Sequence, residues 1–150
     1  MLVRFRFSNA DFLYSIIART HSSGDKMKPL KPFRQLLFES VIGHLKRQEW
    51  RRSIASGSDD YNPCAYRGLD NTKCAVGHLI PNRNYNITLE GNDVCSITNK
   101  LPSYANKYMM LLSNLQSFHD HRMSTAAMRA TELRHIAEAC GLTVQDWMLD

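Results

Sequence analysis

Apolar residues recur at helical spacing in three stretches of this sequence, and this periodicity limits the fold more than any other feature. The stretches span residues 32–50, 104–121 and 125–140. Apolar side chains three and four positions apart lie on one face of a helix, so each stretch is predicted to be an amphipathic helix. Pro32 suits the first turn of the first helix, and Gly141 suits the C-terminal cap of the third.

The segment from Cys64 to Cys74 has a different pattern, which predicts a β-hairpin. Asp70 and Asn71 tolerate the left-handed conformations of a tight turn, and short extended runs lie on both sides of them. The mostly apolar residues 75–80 that follow fit either a short helix or a continuing strand. We therefore predict an α+β fold, a mostly helical single domain with one small β-hairpin or short antiparallel sheet.

Length and composition indicate one globular domain with an extension. The chain has 150 residues, of which 43% are hydrophobic and 22% are charged, and these values exclude a disordered chain. No apolar stretch reaches the roughly 18 residues of a membrane helix. Residues 1–26 end in a linker-like segment, so we expect an N-terminal appendage or upstream extension, followed by a single globular domain at 27–150.

Positive charge is concentrated in the first part of the chain. The formal net charge is +5, and eleven lysines and arginines but four acidic residues precede Ser58. Clustered positive charge attracts phosphates and acidic partners, although it is also common at a solvated helix end. We expect these residues, with an arginine in the predicted hairpin, to contact a partner protein or nucleic acid. The candidate contact residues are Lys46, Arg47, Arg51, Arg52 and Arg67.

Cysteine and histidine residues in and after the predicted hairpin suggest a metal site. No secretory signal is evident, so the cysteines are expected to be reduced thiols. A hairpin brings Cys64 near Cys74, and His78 follows one helical turn later. Thiolate and imidazole are ligands that zinc prefers, and His119 is the candidate fourth ligand, while small buried thiols are the alternative. Other candidates for the fourth position are His121 and Cys95.

A catalytic thiol is a second interpretation of the same residues. In a thiol-dependent hydrolase, Cys74 would be the nucleophile at a helix start and His119 the base, with Asp120 or Asn114 as its orienting group. However, His119 and Asp120 are adjacent, so their side chains on a helix should diverge by about 100°. No phosphate-binding glycine loop, His-Glu-x-x-His helix or paired-carboxylate motif accompanies them, so we do not expect an enzyme.

Two motif runs resemble a known group of proteins. The first is Cys64-Ala-Tyr-Arg-Gly, continued by Lys73-Cys-Ala-Val-Gly-His-Leu-Ile-Pro81, and the second is Leu115-Gln-Ser-Phe-His-Asp120. They are similar to those of a family of small proteins of tailed bacteriophages and prophages, whose activity is not established. The resemblance covers roughly residues 36–142. Members often have cysteine in place of His78, and both side chains can bind zinc.

We therefore expect a small phage or prophage accessory protein in the cytoplasm of a bacterial host. It would act by binding a host protein or nucleic acid. A zinc-stabilised binding module and a thiol-dependent hydrolase are the alternatives.

Overall fold

The three periodic stretches form α-helices in the computed structural model, which describes residues 31–55, 64–121 and 125–149. Helix α1 spans Phe33–Arg47, α2 spans Met109–Asp120 and α3 spans Ala126–Cys140. These elements confirm the three predicted helices. The predicted second helix begins later than expected, because Ala105–Tyr108 forms a 3-10 helix in front of it.

The ends of α3 follow from local chemistry. The side chain of Thr125 accepts a hydrogen bond from the backbone N–H of Met128 at 3.1 Å and caps the first turn. Gly141 adopts a left-handed conformation with φ of 60°, and it ends the helix as its predicted C-terminal cap. The preferences of threonine and glycine for these positions explain why the sequence predicted this helix closely.

Short 3-10 helices and turns fill most of the chain between α1 and α2. After Cys74 the chain makes a helical turn, with the backbone N–H of His78 donating to the carbonyl of Cys74 at 3.1 Å. Of the two alternatives for residues 75–80, the strand therefore does not form. The remaining 3-10 segments are Leu69–Asn71, Asn82–Asn84, Ile87–Leu89, Thr98–Lys100 and, near the C-terminus, Asp146–Met148.

The predicted α+β fold with a β-hairpin is wrong. Among the described residues the structure is helical without strands, and the segment between Cys64 and Cys74 contains one isolated antiparallel bridge, Arg67 to Lys73. The turn itself is present, with Asp70 and Asn71 at φ of 53° and 58°.

Two ladder bonds of a hairpin form, from the N–H of Gly68 to the carbonyl of Thr72 and from the N–H of Cys74 to the carbonyl of Tyr66. Side chains bind the neighbouring backbone donors. The N–H groups of Tyr66 and Arg67 donate to the Glu90 carboxylate at 2.7 and 3.1 Å. The N–H of Lys73 donates to the side chain of Gln48 at 3.1 Å. The N–H of Tyr66 would continue the ladder, but it is already paired with Glu90, so the ladder stops after two bonds.

A continuous apolar core joins the helices to the turns. Helix α2 packs against α3, and the segment Asp146–Met148 packs against α1. Phe38 and Leu112 are fully buried, and burial of such a side chain contributes about 1.5–3 kcal/mol. Other fully enclosed members are Leu37, Val41, Ile42, Leu45, Val76, Leu115 and Leu133.

Glu90 and Gly77 hold the segment that carries Cys64. Besides the two N–H groups of residues 66 and 67, Glu90 accepts a hydrogen bond from the hydroxyl of Tyr85 at 2.7 Å. A Cβ atom at Gly77 would lie 1.9 Å from the carbonyl oxygen of Tyr66, so only glycine permits this close backbone approach. The turn after Cys74 therefore packs directly against the residues that follow Cys64.

From Pro32 onward the described residues belong to one compact unit. The predicted N-terminal appendage at 1–26 and the domain start at residue 27 lie outside the described residues. Within the described ranges, none of the helices combines the length and apolar character that crossing a bilayer requires.

Candidate metal centre

Three potential metal ligands meet where the end of α2 approaches the start of the Cys64 segment. One ligand atom each of Cys64, His119 and Asp120 lies within 4.8 Å of the other two. Cys64 and Asp120 are half-buried and His119 is 5% exposed. The group unites residues from both motif runs of the sequence, which are more than fifty positions apart.

The neighbours of Nε2 indicate which ring nitrogen of His119 carries the hydrogen. One of them is the side-chain amide nitrogen of Gln48, 3.5 Å away. This nitrogen donates to the carbonyl oxygens of Arg51 and Lys73 at 2.8 and 2.9 Å, which uses both of its hydrogens. Nε2 of His119 lies 3.3 Å from the same Arg51 carbonyl oxygen. Since a carbonyl oxygen only accepts, Nε2 carries the ring hydrogen of the neutral imidazole.

The other ring nitrogen of His119, Nδ1, is buried and lies near the Asp120 carboxylate. Among the described residues, no group forms a hydrogen bond with Nδ1. A neutral imidazole that donates from Nε2 has a lone pair at Nδ1, and leaving such an acceptor unsatisfied costs about 1–3 kcal/mol. This lone pair lies beside two further electron-pair donors, so the group is suited to a cation.

The carboxylate of Asp120 is held toward the imidazole by Gln116. Its Oδ1 lies 3.6 Å from Nδ1 of His119 and accepts a hydrogen bond from the Gln116 amide at 2.8 Å. Gln116 in turn accepts from the N–H of Val76 at 3.3 Å. The expected divergence of adjacent side chains does not separate His119 from Asp120. Ligand atoms of a tetrahedral zinc ion lie about 3.5 Å apart, given bonds of about 2.0–2.3 Å.

The Cys64 thiol is protonated near neutral pH unless a cation binds it. Burial raises its pKa to about 11, and the nearby Asp120 carboxylate adds to the effect. Nε of Arg52 donates to the sulfur at 3.3 Å and partly offsets this rise. A thiol with such a pKa is a poor nucleophile by itself, but a metal ion can displace its proton.

A cleft of about 760 Å³ opens on one side of the group. Cys64 and Asp120 line this cleft, whereas His119 lies behind them in the protein. The other described lining residues are Ala55, Ala65, Tyr66, Glu90, Gly91, Asn92, Asp93, Val94, Cys95, Ser113, Gln116, Ser117 and His121.

The structure brings together two of the four predicted ligands, Cys64 and His119, and adds Asp120 to them. Cys74 and His78 are not members of this group. Cys74 is fully buried, its sulfur accepts a hydrogen bond from the N–H of Gly77 at 3.1 Å, and burial raises its pKa. The ring of His78 stacks on His44 with 4.2 Å between their centroids.

Asp120 was not among the predicted ligands, because the sequence suggested it only as the orienting group of a catalytic His119. The sequence held one signal for it, since Gln116, His119 and Asp120 all belong to the second motif run. That run places an amide one helical turn before the carboxylate, which is the spacing at which helix side chains meet.

Most of the predicted partner-binding residues have contacts within the chain. Lys46 donates to the carbonyl of Trp147, and Nε of Arg51 donates to the carbonyl of Gln48 at 3.2 Å. Arg67 lies over the ring of Tyr85 and donates to the carbonyl of Ile80 at 3.1 Å. Arg52 contacts Cys64, as described above, and Arg47 is exposed. Their role in partner binding stays a prediction.

Comparison with known proteins adds no relative. This chain matches no family model, no curated protein and no solved structure.

Proposed function

We propose that this protein binds one zinc ion through Cys64, His119 and Asp120. The observation that carries the proposal is the buried Nδ1 of His119, which accepts no hydrogen bond from the described residues and lies beside a thiol and a carboxylate. Zinc accepts thiolate, imidazole and carboxylate ligands together, whereas magnesium and calcium prefer oxygen ligands alone. The donor set therefore favours zinc over magnesium and calcium.

The surrounding hydrogen bonds are those that a zinc site needs. The carbonyl of Arg51 accepts from Nε2 of His119 and so fixes the tautomer and the ring orientation. Gln116 donates one hydrogen bond to Oδ1 of Asp120, and the carboxylate keeps further lone pairs that can bind the ion. The Cys64 thiolate and the Asp120 carboxylate together balance the two positive charges of the ion.

A thiol-dependent hydrolase is less well supported. Cys74 is enclosed in the core, and the thiol that lies beside His119 is Cys64. Its pKa of about 11 leaves little thiolate at neutral pH, which is opposite to the lowered pKa of a reactive cysteine. We therefore assign Cys64 to metal binding.

The broader role that we propose is a zinc-supported binding protein of phage or prophage origin. The motif resemblance supports this origin, and the positive net charge supports an acidic macromolecular partner. The proposed zinc site would stabilise the fold from which such a partner is contacted.

Zinc titration of metal-free protein tests the assignment. The wild type is expected to take up one ion per chain, measured by competition with a chromogenic chelator, and to melt at a higher temperature when loaded. Cys64→Ser, His119→Gln and Asp120→Asn should each weaken binding by more than 100-fold, beyond the typical effect of an outer-shell change. Cys95→Ser is the matched control, since Cys95 lines the same cleft outside the group.

Two outcomes would overturn the proposal. The first is a wild type that binds no stoichiometric zinc and whose melting temperature is unchanged by chelator. The second is zinc binding that survives Asp120→Asn but is lost in Cys74→Ala or His78→Gln, because it would assign the ion to the ligand set predicted from the sequence.

A further inference from the structure

We propose that the bound ion keeps one coordination position open to the cleft, and that this position takes a neutral or cationic small molecule. This inference rests on the proposed zinc site. It specifies the chemistry of what the site binds.

The positions of the three ligands determine which side of a bound ion would be left without a protein ligand. His119 lies on the protein side and does not line the cleft, whereas Cys64 and Asp120 form part of its wall. An ion held by all three would have its protein ligands on one side and the cleft on the other. Three protein ligands with one exchangeable position are the pattern of zinc sites that bind external molecules.

The size of the cleft fits a small-molecule ligand. Its volume of about 760 Å³ lies within the range of about 300–1,000 Å³ that is typical of ligand pockets. Tyr66 and Val94 contribute apolar surface, and Ser113 contributes a hydroxyl group. A molecule much larger than a water molecule can therefore approach the ion.

The charge of the residues that line the cleft determines which small molecules bind there most tightly. Glu90, Asp93 and Asp120 line the cleft, while none of the lining residues that the structure describes is a lysine or an arginine. Cys64 and Asp120 would balance the zinc charge, and Glu90 and Asp93 make the wall of the cleft negative. One cation, Arg52, contacts the Cys64 sulfur from outside the described lining, so the negative charge is strongest on the side of Glu90 and Asp93. Clefts with walls of one charge concentrate ligands of the opposite charge.

A substitution at Asp93 can test this charge selectivity without disturbing the fold. Glu90 accepts three hydrogen bonds that hold the Cys64 segment, so its replacement would disturb the fold. Asp93 is exposed, and its carboxylate accepts hydrogen bonds from the N–H and hydroxyl of Ser96 at 2.9 Å each. Asp93→Asn removes the charge and keeps an oxygen that can accept from Ser96.

Cobalt-loaded protein and three pyridines test the inference. We would use 4-methylpyridine, 4-(aminomethyl)pyridine and 4-pyridylacetate, which share one ring nitrogen, cannot chelate one ion and differ in charge. The thiolate-to-cobalt band, lost in Cys64→Ser, shows that the metal occupies the proposed site. The visible d–d spectrum then reports binding of each pyridine to the ion.

The neutral and cationic pyridines should change the spectrum. The cation should bind about tenfold more tightly than the anion at low ionic strength. Asp93→Asn should lower that ratio while leaving cobalt binding unchanged.

A cobalt site with the thiolate band whose spectrum no pyridine changes would overturn this inference and leave the zinc site standing. Equal or tighter binding of 4-pyridylacetate would overturn the charge selectivity. Absence of any Cys64-dependent cobalt band would reject the metal site itself, and this inference with it.

Discussion

His119 and Asp120 are consecutive residues of α2, yet Nδ1 of the first lies 3.6 Å from Oδ1 of the second. On a regular helix their Cβ atoms point about 100° apart, so the side chains themselves must converge. Gln116, one turn earlier, binds the Asp120 carboxylate and holds it on the side of the imidazole. The geometry of the candidate centre therefore depends on an amide that is not itself a ligand.

Replacing Gln116 with alanine should weaken zinc binding by about 10–100-fold, the usual range for a group that orients a ligand. The carboxylate would lose its partner and rotate more freely toward the cleft. Competition with a chelator of known affinity measures the change. Ser113→Ala is the control, because Ser113 lies on the same helix and lines the same cleft. Equal affinities of Gln116→Ala and wild type would contradict the positioning role.

Gly77→Ala should destabilise the protein by about 3 kcal/mol or more, since its Cβ would lie 1.9 Å from the Tyr66 carbonyl oxygen. Backbone cannot move aside as a flexible side chain can. Gly43→Ala in α1 is the matched control, because its nearest neighbour is the flexible Arg47 side chain at 3.4 Å. That variant should be neutral or more stable by up to about 1 kcal/mol. Urea unfolding compares the two, and similar stabilities would refute the close approach.

The sequence predicted the helices well and the segment between Cys64 and Cys74 only in part. Apolar periodicity and the caps at Thr125 and Gly141 involve residues that are close in sequence, so the sequence alone reveals them. The turn at Asp70 was visible for the same reason.

The strands beside that turn were wrongly predicted, because the ladder stops after two bonds and the next donor, the N–H of Tyr66, pairs with Glu90. Glu90 is distant from Tyr66 in sequence, so no local pattern shows this pairing.

The candidate centre was likewise predicted only in part, because residue types are visible in the sequence and long-range packing is not. Residue types pointed to Cys64 and His119, because thiol and imidazole are metal ligands wherever they occur. Their meeting with Asp120 depends on how α2 packs against the Cys64 segment, and spacing along the chain does not reveal that packing. Cys74 and His78 are near Cys64 in sequence, but the helical turn that contains them directs them into the core and toward His44.

The rate at which each cysteine is alkylated should depend on its burial and not on its distance from His119. In metal-free protein, exposed Cys95 should react first, while Cys64 should react slowly, because a pKa of about 11 leaves roughly 100-fold less thiolate than an ordinary cysteine has. Cys74 should react only on unfolding, and added zinc should protect Cys64 further. Peptide mapping by mass spectrometry follows each site. Fast reaction of Cys74 in the native protein would instead support the thiol-dependent hydrolase.

Stability should fall on acidification because a buried histidine, His78, stacks on a half-buried one, His44. Burial lowers the pKa of His44 to about 4, and burial next to His44 lowers the pKa of His78 well below its usual value. The charges of Arg47 and Lys73 also lower the pKa of both histidines, and His119 does so for His44. The Lys73 carbonyl, 3.0 Å from Nε2 of His44, opposes this effect. The unfolded chain therefore binds these protons at a higher pH than the folded chain does.

As the pH falls from about 6.5 to about 4, the free energy of unfolding should decrease by up to about 1.4 kcal/mol per pH unit for each histidine. Above about pH 6.5, the contribution of each histidine to the free energy of unfolding does not change with pH. Urea unfolding of chelator-treated protein across this range measures the slope. His44→Gln should flatten it, while His135→Gln, at an exposed position, should not. An unchanged slope in His44→Gln would exclude His44 as a source.

X-ray absorption at the zinc edge of the loaded protein tests the central claim most directly. We expect one sulfur at about 2.3 Å and the remaining ligands as nitrogen or oxygen at about 2.0–2.2 Å, with the sulfur lost in Cys64→Ser. Two sulfurs would instead assign the ion to Cys64 together with another cysteine. A shell without sulfur would remove Cys64 from the site, and either result would contradict the centre formed by Cys64, His119 and Asp120.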